Sequence, residues 1–365
     1  MKIAIDISPL ETGHKVRGVG FYLKHLKNAL ISYHPEHRYY YFTQKSEIPA
    51  DADIVHYPYF EPFFITLPVF KKHKTIVTVH DLTPLVFPKH FPVGIRGNIS
   101  WQIQKFNLKK SDAIITDSFS SQKDISKYAG IPATKIHTVY LAAGEEFRQT
   151  ARFAARRANG PLRSEASNRQ TEIIKKYNLP EKFVLYVGDV TWNKNLPRLI
   201  RAMKQINIPL VMVGKSIVQK DFDKTNVWNQ DLVEVQKLTD GDSRFIKLGF
   251  IPTEDLVVIY NSAAVFIMPS IYEGFGLPII EAMQSGCPVI AAEGGSLPEI
   301  AEDAAYYMDN YDTESIAKGI EKVISSKKLQ EELSKKGLEQ AKKFSWKKTA
   351  EKTIAVYKKV LDTKN

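Results

Sequence analysis

Residues 272–286 read YEGFGLPIIEAMQSG, and two carboxylates in them carry chemistry worth explaining. Glu281 falls inside an apolar run of Ile279, Ile280, Ala282 and Met283, and Glu273 stands just ahead of Gly274 and Gly276. A buried charge without a partner is costly enough that it finds one or takes up a proton. No basic residue lies nearby in sequence, so the partner comes from the fold or from a ligand. Glycines between a strand and a helix let the backbone approach a ligand and leave N–H groups pointing outward. Together with the positive end of the helix they suit a diphosphate. Glu281 follows about one and a half turns into the helix. A carboxylate there can accept hydrogen bonds from the two vicinal hydroxyls of a ribose. The spacing reads as a nucleotide site, with Glu273 toward whatever is attached beyond the phosphates. The plainer alternative is a tight strand-to-helix turn with no ligand.

The elements that must position these residues alternate from end to end. Strands are expected at KIAID, YYYFT, DIVHY, TIVTV, AIITD and KIHTVY, with helices over residues 20–31, 95–109 and 120–128 between several of them. The stretch ARFAARRANGPLRSEASNRQ has no hydrophobic period and reads as a linker or insertion. The rhythm restarts with FVLYVG, a helix from Leu196, then IPLVMVG, RFIKLGF, AAVFIMPS and PVIAA; the last fifty residues are mostly helical. This is the pattern of an α/β protein with two doubly wound parallel sheets. The expected division is a first domain over 1–150, a basic linker over 151–180, a second domain over 181–344, and a terminal helix over 345–365 that crosses back to the first. A ligand would lie at the carboxyl ends of the strands. The nicotinamide fingerprint fails, because Leu23 stands where Gly18-Val19-Gly20 needs a third glycine, and no GxxxxGK[ST] occurs.

Composition narrows the class. With 44% hydrophobic and 25% charged residues the 365-residue chain is globular in type, and no run of about 18 apolar residues offers a membrane span. The opening MKIAIDISPL reads as a strand, not a signal peptide. Cys287, the only cysteine, lies between Gly286 and Pro288 and reads as a packed thiol, which fits a cytoplasmic location. The net charge of +11 is uneven: residues 1–150 hold 19 Lys/Arg against 13 Asp/Glu, residues 151–180 hold 7 against 2, and the rest is balanced. Such asymmetry points to anionic lipid, a phosphorylated substrate or nucleic acid, or simply to a solvated surface. The basic residues are interspersed without an aromatic recognition signature, which excludes nucleic acid.

Glu273 and Glu281 also form an E-x7-E pattern, and around them the chain resembles the retaining glycosyltransferases of family 4, which have the GT-B fold. GVGFYLKHL, DIVHYPYF, TVHDLTPL and YVGDVTWNKNLPRLIRA resemble that family's segments, and residues 248–300, from LGFIPTEDL to GGSLPEI, follow its pattern almost without gaps. The resemblance implies two Rossmann-like domains with parallel sheets facing a central cleft. It implies that Lys194 contacts a donor diphosphate, that the turn Gly274-Phe275-Gly276-Leu277 shares that charge, and that Glu281 holds the ribose. Glu273 would lie by the donor sugar, and His80 would approach it from the other domain. Gly18 and Gly20 would close over the phosphates or meet the acceptor, and Phe250 and Ile251 would line the base pocket. Catalytic roles thus fall to Glu273, His80 and Lys194. The alternatives are a satisfied histidine at a strand end, a solvated lysine and two glycines that merely start a helix.

The resemblance further implies metal-independent transfer with no cofactor, the nucleotide sugar being a substrate. Asp51-Ala52-Asp53, Asp221-Phe222-Asp223 and Asp240-Gly241-Asp242 imitate a cation-holding DxD but lie far from EGFGLP in sequence. MKIAIDISPL, GVGFY and TVHDLTPLVFP look most like members using GDP-mannose, with UDP-glucose, UDP-galactose and UDP-N-acetylglucosamine as alternatives. The acceptor would be a glycan or lipid-linked glycan of surface polysaccharide, met by peripheral contact with the anionic inner face of the cell membrane. One departure stands out. Many members carry arginine where this chain has Asp189 or Asn193, so Asp189 is expected to point away from the diphosphate. Lost positive charge there keeps a non-catalytic sugar-nucleotide sensor as an alternative, and a GT-B epimerase or phosphorylase is a second.

Overall fold

In the computed structural model, which describes residues 1–16, 18–148 and 164–363, the first six apolar runs form one parallel sheet. They are β1 (Lys2–Asp6), β2 (Arg38–Phe42), β3 (Ile54–Tyr57), β4 (Lys74–Thr78), β5 (Ala113–Thr116) and β6 (Ile136–Thr138), in the order β2-β1-β3-β4-β5-β6. All pairings are parallel. β3 and β5 are buried at every residue, as strands covered on both faces must be. β2, at the edge, begins with exposed Arg38. The order reverses between β1 and β3.

The second sheet contains β7 (Val184–Val187), β8 (Leu210–Val213), β9 (Phe245–Leu248), β10 (Val265–Met268), β11 (Val289–Ala292) and β12 (Ala305–Met308). Its order is β12-β11-β10-β7-β8-β9, again all parallel. The reversal falls between β7 and β10, so their carboxyl ends frame the point where an open α/β sheet presents a crevice. β12 is not among the strands expected from the sequence. As an edge strand it leaves Tyr306 and Tyr307 half-buried, which removes the uninterrupted apolar run that marks β8 or β10.

The chain divides into two compact units, Met1–Ala142 with everything from Phe344 onward, and Ala143–Lys343. In the first, the helix Trp346–Asp362 packs on the helix Gly18–Tyr33, and Trp346 stacks on His25 with ring centroids 5.1 Å apart. Ser345 caps its start by accepting from the Lys348 amide. Tyr357, wholly buried, meets His56 Nδ1 at 2.7 Å, and His56 Nε2 lies 2.8 Å from Thr78 Oγ1.

The division falls at Ala142 instead of residue 150 because Ala143–Phe147 is strapped to the second unit. Gln284 Nε2 donates to the Gly144 carbonyl at 2.6 Å, and Ser285 Oγ donates to that of Phe147 at 3.2 Å. Of the expected linker, residues 151–163 lie outside the described residues. From Ser164 to Lys176 the chain is helical where an irregular segment was expected. One of its buried positions is Gln170, which donates to Ser262 Oγ at 2.7 Å, so a polar residue stands in for an apolar one and masks the period. Among the described residues, no helix is long and apolar enough to cross a membrane.

Candidate active site

Two loops leave the second sheet at its reversal point. The one after β7 turns through Trp192–Lys194, and Asn195 adopts a left-handed φ of 58° before the helix Leu196–Met203. The one after β10 runs through Pro269 to Gly276. Side-chain amides tie them together. Asn193 Nδ2 donates to Tyr272 O at 3.0 Å, and Asn195 Nδ2 donates to Pro269 O at 3.1 Å and Asn310 O at 2.8 Å. Asn310 Nδ2 donates in turn to Ser270 O at 3.0 Å, and the Ile271 amide donates to Asn193 O at 2.7 Å. With both backbones fixed, Lys194 Nζ lies 2.8 Å from each carboxylate oxygen of Glu273. The fold thus supplies the partner for the first carboxylate.

Glu273 is held from behind as well. Its carbonyl accepts from the Ser296 amide and hydroxyl, both at 3.1 Å. The preceding Gly295 has φ 61°, and a Cβ there would stand 2.4 Å from that carbonyl oxygen, so the close approach requires glycine. Gly276, at φ 90°, starts the helix Leu277–Gln284, and a Cβ on it would stand 2.7 Å from Leu297. Gly274 and Phe275 complete the turn and are buried.

Glu281 is 93% removed from solvent and accepts from the Tyr260 hydroxyl at 3.0 Å. Among the described residues no lysine or arginine pairs with it. Burial pushes its carboxyl up to about 7; the Tyr260 hydrogen bond opposes this, and the charge of Glu146 adds to it. Among the described residues Glu281 thus has a hydroxyl donor and no cationic partner, which leaves a group able to accept further hydroxyl donors.

In the first unit, His80 and Asp117 stand beyond the carboxyl ends of the neighbouring strands β4 and β5, with Nδ1 2.6 Å from Asp117 Oδ2. Nε2 lies 3.3 Å from the Pro58 carbonyl. Both partners offer acceptor oxygens, which favours the protonated ring. Burial works against that charge, but Asp117 by charge and hydrogen bond, with Asp81, outweighs it and holds His80 above its ordinary range. Tyr22 meets the ring edge-on at 4.8 Å. Gly18 and Gly20 form the first turn of the helix Gly18–Tyr33, and open space surrounds the position of a Cβ on Gly18.

The structure thus brings Lys194 and Glu273 into contact and places Gly274, Phe275, Gly276, Leu277 and Glu281 in one turn and helix beside them. Of the pair after β9, Ile251 is buried and Phe250 is 63% exposed. The Asp189 carboxylate accepts from the Ser216 amide at 3.3 Å and hydroxyl at 3.0 Å. The DxD look-alikes serve local structure: Asp51 pairs with Lys2, Asp53 accepts from the Lys2 amide, Asp223 from Thr225, and Asp242 binds Arg244. Tyr260, Asp117, Asn195 and Asn310 were not singled out from sequence. Asp117 closes the run AIITD and had a visible signal; the others are defined by partners 21 to 115 residues away.

Comparison with known proteins shows the family and the fold. Residues 169–340 match the family model of glycosyl transferases group 1, and residues 8–143 match that of glycosyltransferase family 4. The chain is 30% identical over 292 residues to O-antigen chain mannosyltransferase B of Escherichia coli, covering 78% of this chain and 70% of that protein. It is 28% identical over 303 residues to the serotype-specific mannosyltransferase WbdA of the same species, covering 80% of this chain but 34% of that longer protein. Among solved structures it resembles sucrose-phosphate synthase from Thermosynechococcus elongatus, with a TM-score of 0.73, 19% identity and 100% coverage of both chains. It also resembles WaaG, a glycosyltransferase involved in lipopolysaccharide biosynthesis, with a TM-score of 0.67, 12% identity and coverage of 96% and 98%. These likenesses show the GT-B fold. The chain belongs to the glycosyltransferases, its first unit matching family 4 and its second matching group 1.

Proposed function

We propose that this hexosyltransferase moves mannose from GDP-mannose, with retention and without a metal, onto a glycan or lipid-linked glycan in surface polysaccharide assembly. The observation that carries the proposal is the Lys194–Glu273 pair at the reversal of the second sheet, with Glu281 farther along the adjoining helix. The mannosyltransferases among the relatives support the choice of sugar. A UDP-hexose donor is the alternative outcome.

The chemistry follows from charge. Breaking the sugar–phosphate bond places positive charge on the sugar ring and negative charge on the departing diphosphate. Lys194 and the helix end stabilise the leaving group, and Glu273 faces the sugar side. Donor binding draws Lys194 toward phosphate and so frees Glu273 to accept from sugar hydroxyls. The departing phosphate oxygen takes the acceptor hydroxyl's proton as the new C–O bond forms on the same face. Glu281 accepts from the ribose hydroxyls. His80, oriented by Asp117, is the first unit's candidate for catalysis, and Gly18 and Gly20 are its candidates for binding.

Cytoplasmic location with peripheral attachment to the inner membrane face belongs to the same proposal, supported by the basic charge of the first 180 residues. The test is transfer from radiolabelled GDP-mannose and UDP-hexoses, in EDTA, to glycan and lipid-linked glycan acceptors. Product from GDP-mannose with the α-anomeric linkage retained supports it. Transfer only from a UDP-hexose overturns the donor, and turnover that needs an added divalent cation overturns the metal-free route.

A further inference from the structure

The first sheet has a reversal point of its own, between β1 and β3, and two carboxylates stand at its carboxyl end. Asp6 closes β1, and Glu61 follows β3 in the loop after Tyr57. In an open α/β sheet the crevice at such a reversal is where ligands bind. Neither carboxylate has a part in holding the donor or in the departure of its diphosphate.

The backbone around Glu61 is pinned. Its amide donates to Thr66 Oγ1 at 3.4 Å, and its carbonyl accepts from Gln104 Nε2 at 3.0 Å. Gln104, wholly buried on the helix Ile95–Lys109, also donates to Thr66 Oγ1 at 2.6 Å and accepts from the Leu67 amide at 3.2 Å. One side chain thus closes the loop from Glu61 to Leu67. At the start of the same stretch, the Pro58 carbonyl lies 3.3 Å from His80 Nε2, which ties it to the residues after β4.

The side chain held by this frame is not neutralised. The Tyr59 hydroxyl donates to Glu61 Oε2 at 3.1 Å, and among the described residues no cation pairs with the carboxylate. Burial pushes its carboxyl up to about 7; the Tyr59 hydrogen bond opposes this, and the charge of Asp81 adds to it. Asp6 is placed alike. It accepts from the Ser8 amide at 2.8 Å, burial raises it, and among the described residues it too has no cationic partner. A buried carboxylate short of donors costs a folded chain stability, and such departures from local rules belong to functional sites.

What the two groups lack is donors. Among the described residues no three His, Cys, Asp or Glu side chains come together to hold a metal ion. An anion is repelled by Glu61, Asp6 and Asp81. Sugar hydroxyls donate to carboxylates and bring no charge of their own. The diphosphate, the ribose and the donor sugar are assigned to the second unit, so in a two-substrate transfer the sugar left for this crevice is the acceptor's.

We infer that Glu61 recognises the hydroxyls of an uncharged sugar at the growing end of the acceptor, with Asp6 at the end of the neighbouring strand, and that these carboxylates keep phosphate and uronate groups away from that end. The inference rests on the proposed glycan acceptor and names the class of its terminal sugar. The test is saturation-transfer NMR and titration of the full chain, with and without GDP. The probes are neutral oligosaccharides ending in mannose, glucose, galactose or N-acetylglucosamine, and counterparts ending in a uronic acid, a 6-phosphate or a free amino sugar. In the expected result a neutral oligosaccharide binds, its anionic counterpart binds about tenfold more weakly, and Glu61→Ala weakens the neutral one about tenfold or more. Glu61→Gln narrows the gap between neutral and anionic, and GDP affinity stays unchanged in both variants. At pH 8 Glu61→Gln keeps or raises the melting temperature, because it removes a buried charge that nothing compensates. No binding of any neutral oligosaccharide, tighter binding of an anionic or amino counterpart, or unchanged affinity in Glu61→Ala overturns it. A melting temperature that falls in Glu61→Gln together with GDP affinity makes the residue structural and overturns it as well. Neutral glycan binding, weakened in Glu61→Ala, by a chain that ignores GDP-mannose upholds it and overturns the donor instead.

Discussion

Lys194 bridges both carboxylate oxygens of Glu273 at 2.8 Å, across 79 residues of sequence. The contact joins the loops leaving β7 and β10, the two strands between which the second sheet reverses its order. With side chains 23% and 9% exposed, both charges are partly stripped of water and neither is easily left alone. Each holds the other in position until a ligand with its own charge competes for it.

Lys194→Met and Glu273→Gln should each lower stability in urea unfolding by about 1–3 kcal/mol, because each strands its partner. The double variant should lose less than the sum, by about 1–2 kcal/mol. Strictly additive losses would show that the contact carries no energy of its own.

Glu281 should make nucleotide affinity depend on pH. Its carboxyl titrates at about 7, and ribose hydroxyls donate to the ionised form. Calorimetric affinity for GDP should therefore fall by up to about tenfold per pH unit below that value. The same profile in Glu281→Gln would remove the carboxylate from the account. Without ligand the sign reverses. The folded pKa lies above the unfolded value of 4.5, so this group's contribution is greatest below pH 4.5 and is lost as pH rises through about 7. Glu281→Gln should accordingly stabilise the free protein at alkaline pH.

His56 supplies an acid limit in the first unit. Burial, with the charge of His80 adding, pushes its imidazole down to about 3, and as a neutral ring it links the hydroxyls of Tyr357 and Thr78. Its folded pKa is depressed below the unfolded value of 6.5, so its contribution is complete above that pH and is lost as pH falls toward 3. The cost approaches about 1.4 kcal/mol per pH unit. Hydrogen exchange of the helix Trp346–Asp362 should rise over this window. In His56→Phe the pH slope should flatten while stability at neutral pH drops.

Two glycines of similar backbone test the packing behind Glu273. Gly295→Ala meets the Glu273 carbonyl at 2.4 Å, whereas Gly241, at φ 67°, has open space around it. Gly241→Ala should cost about 1 kcal/mol and leave turnover intact. Gly295→Ala should cost more and lower kcat. Equal effects in thermal unfolding and in kcat would mean that the Gly295 loop gives way freely.

Eleven of the strands were legible, most of them because buried parallel strands are continuous apolar runs; β12, a four-residue edge strand with half-buried Tyr306 and Tyr307, was not. The turn at Gly274–Gly276 and the misplaced charge of Glu281 were visible because each breaks a local rule. The Lys194–Glu273 contact was not, since a lysine before a helix looks like any solvated lysine until the fold brings a residue 79 positions away to it.

The most direct measurement is GDP-mannose binding and turnover, in EDTA, by the wild type, Glu281→Ala and Glu273→Ala. Binding by the wild type, weakened about tenfold or more in Glu281→Ala, and kept in Glu273→Ala while kcat falls about 100-fold or more, is the expected result. Equal loss of binding in both variants, or no binding of GDP-mannose by the wild type, would contradict the account.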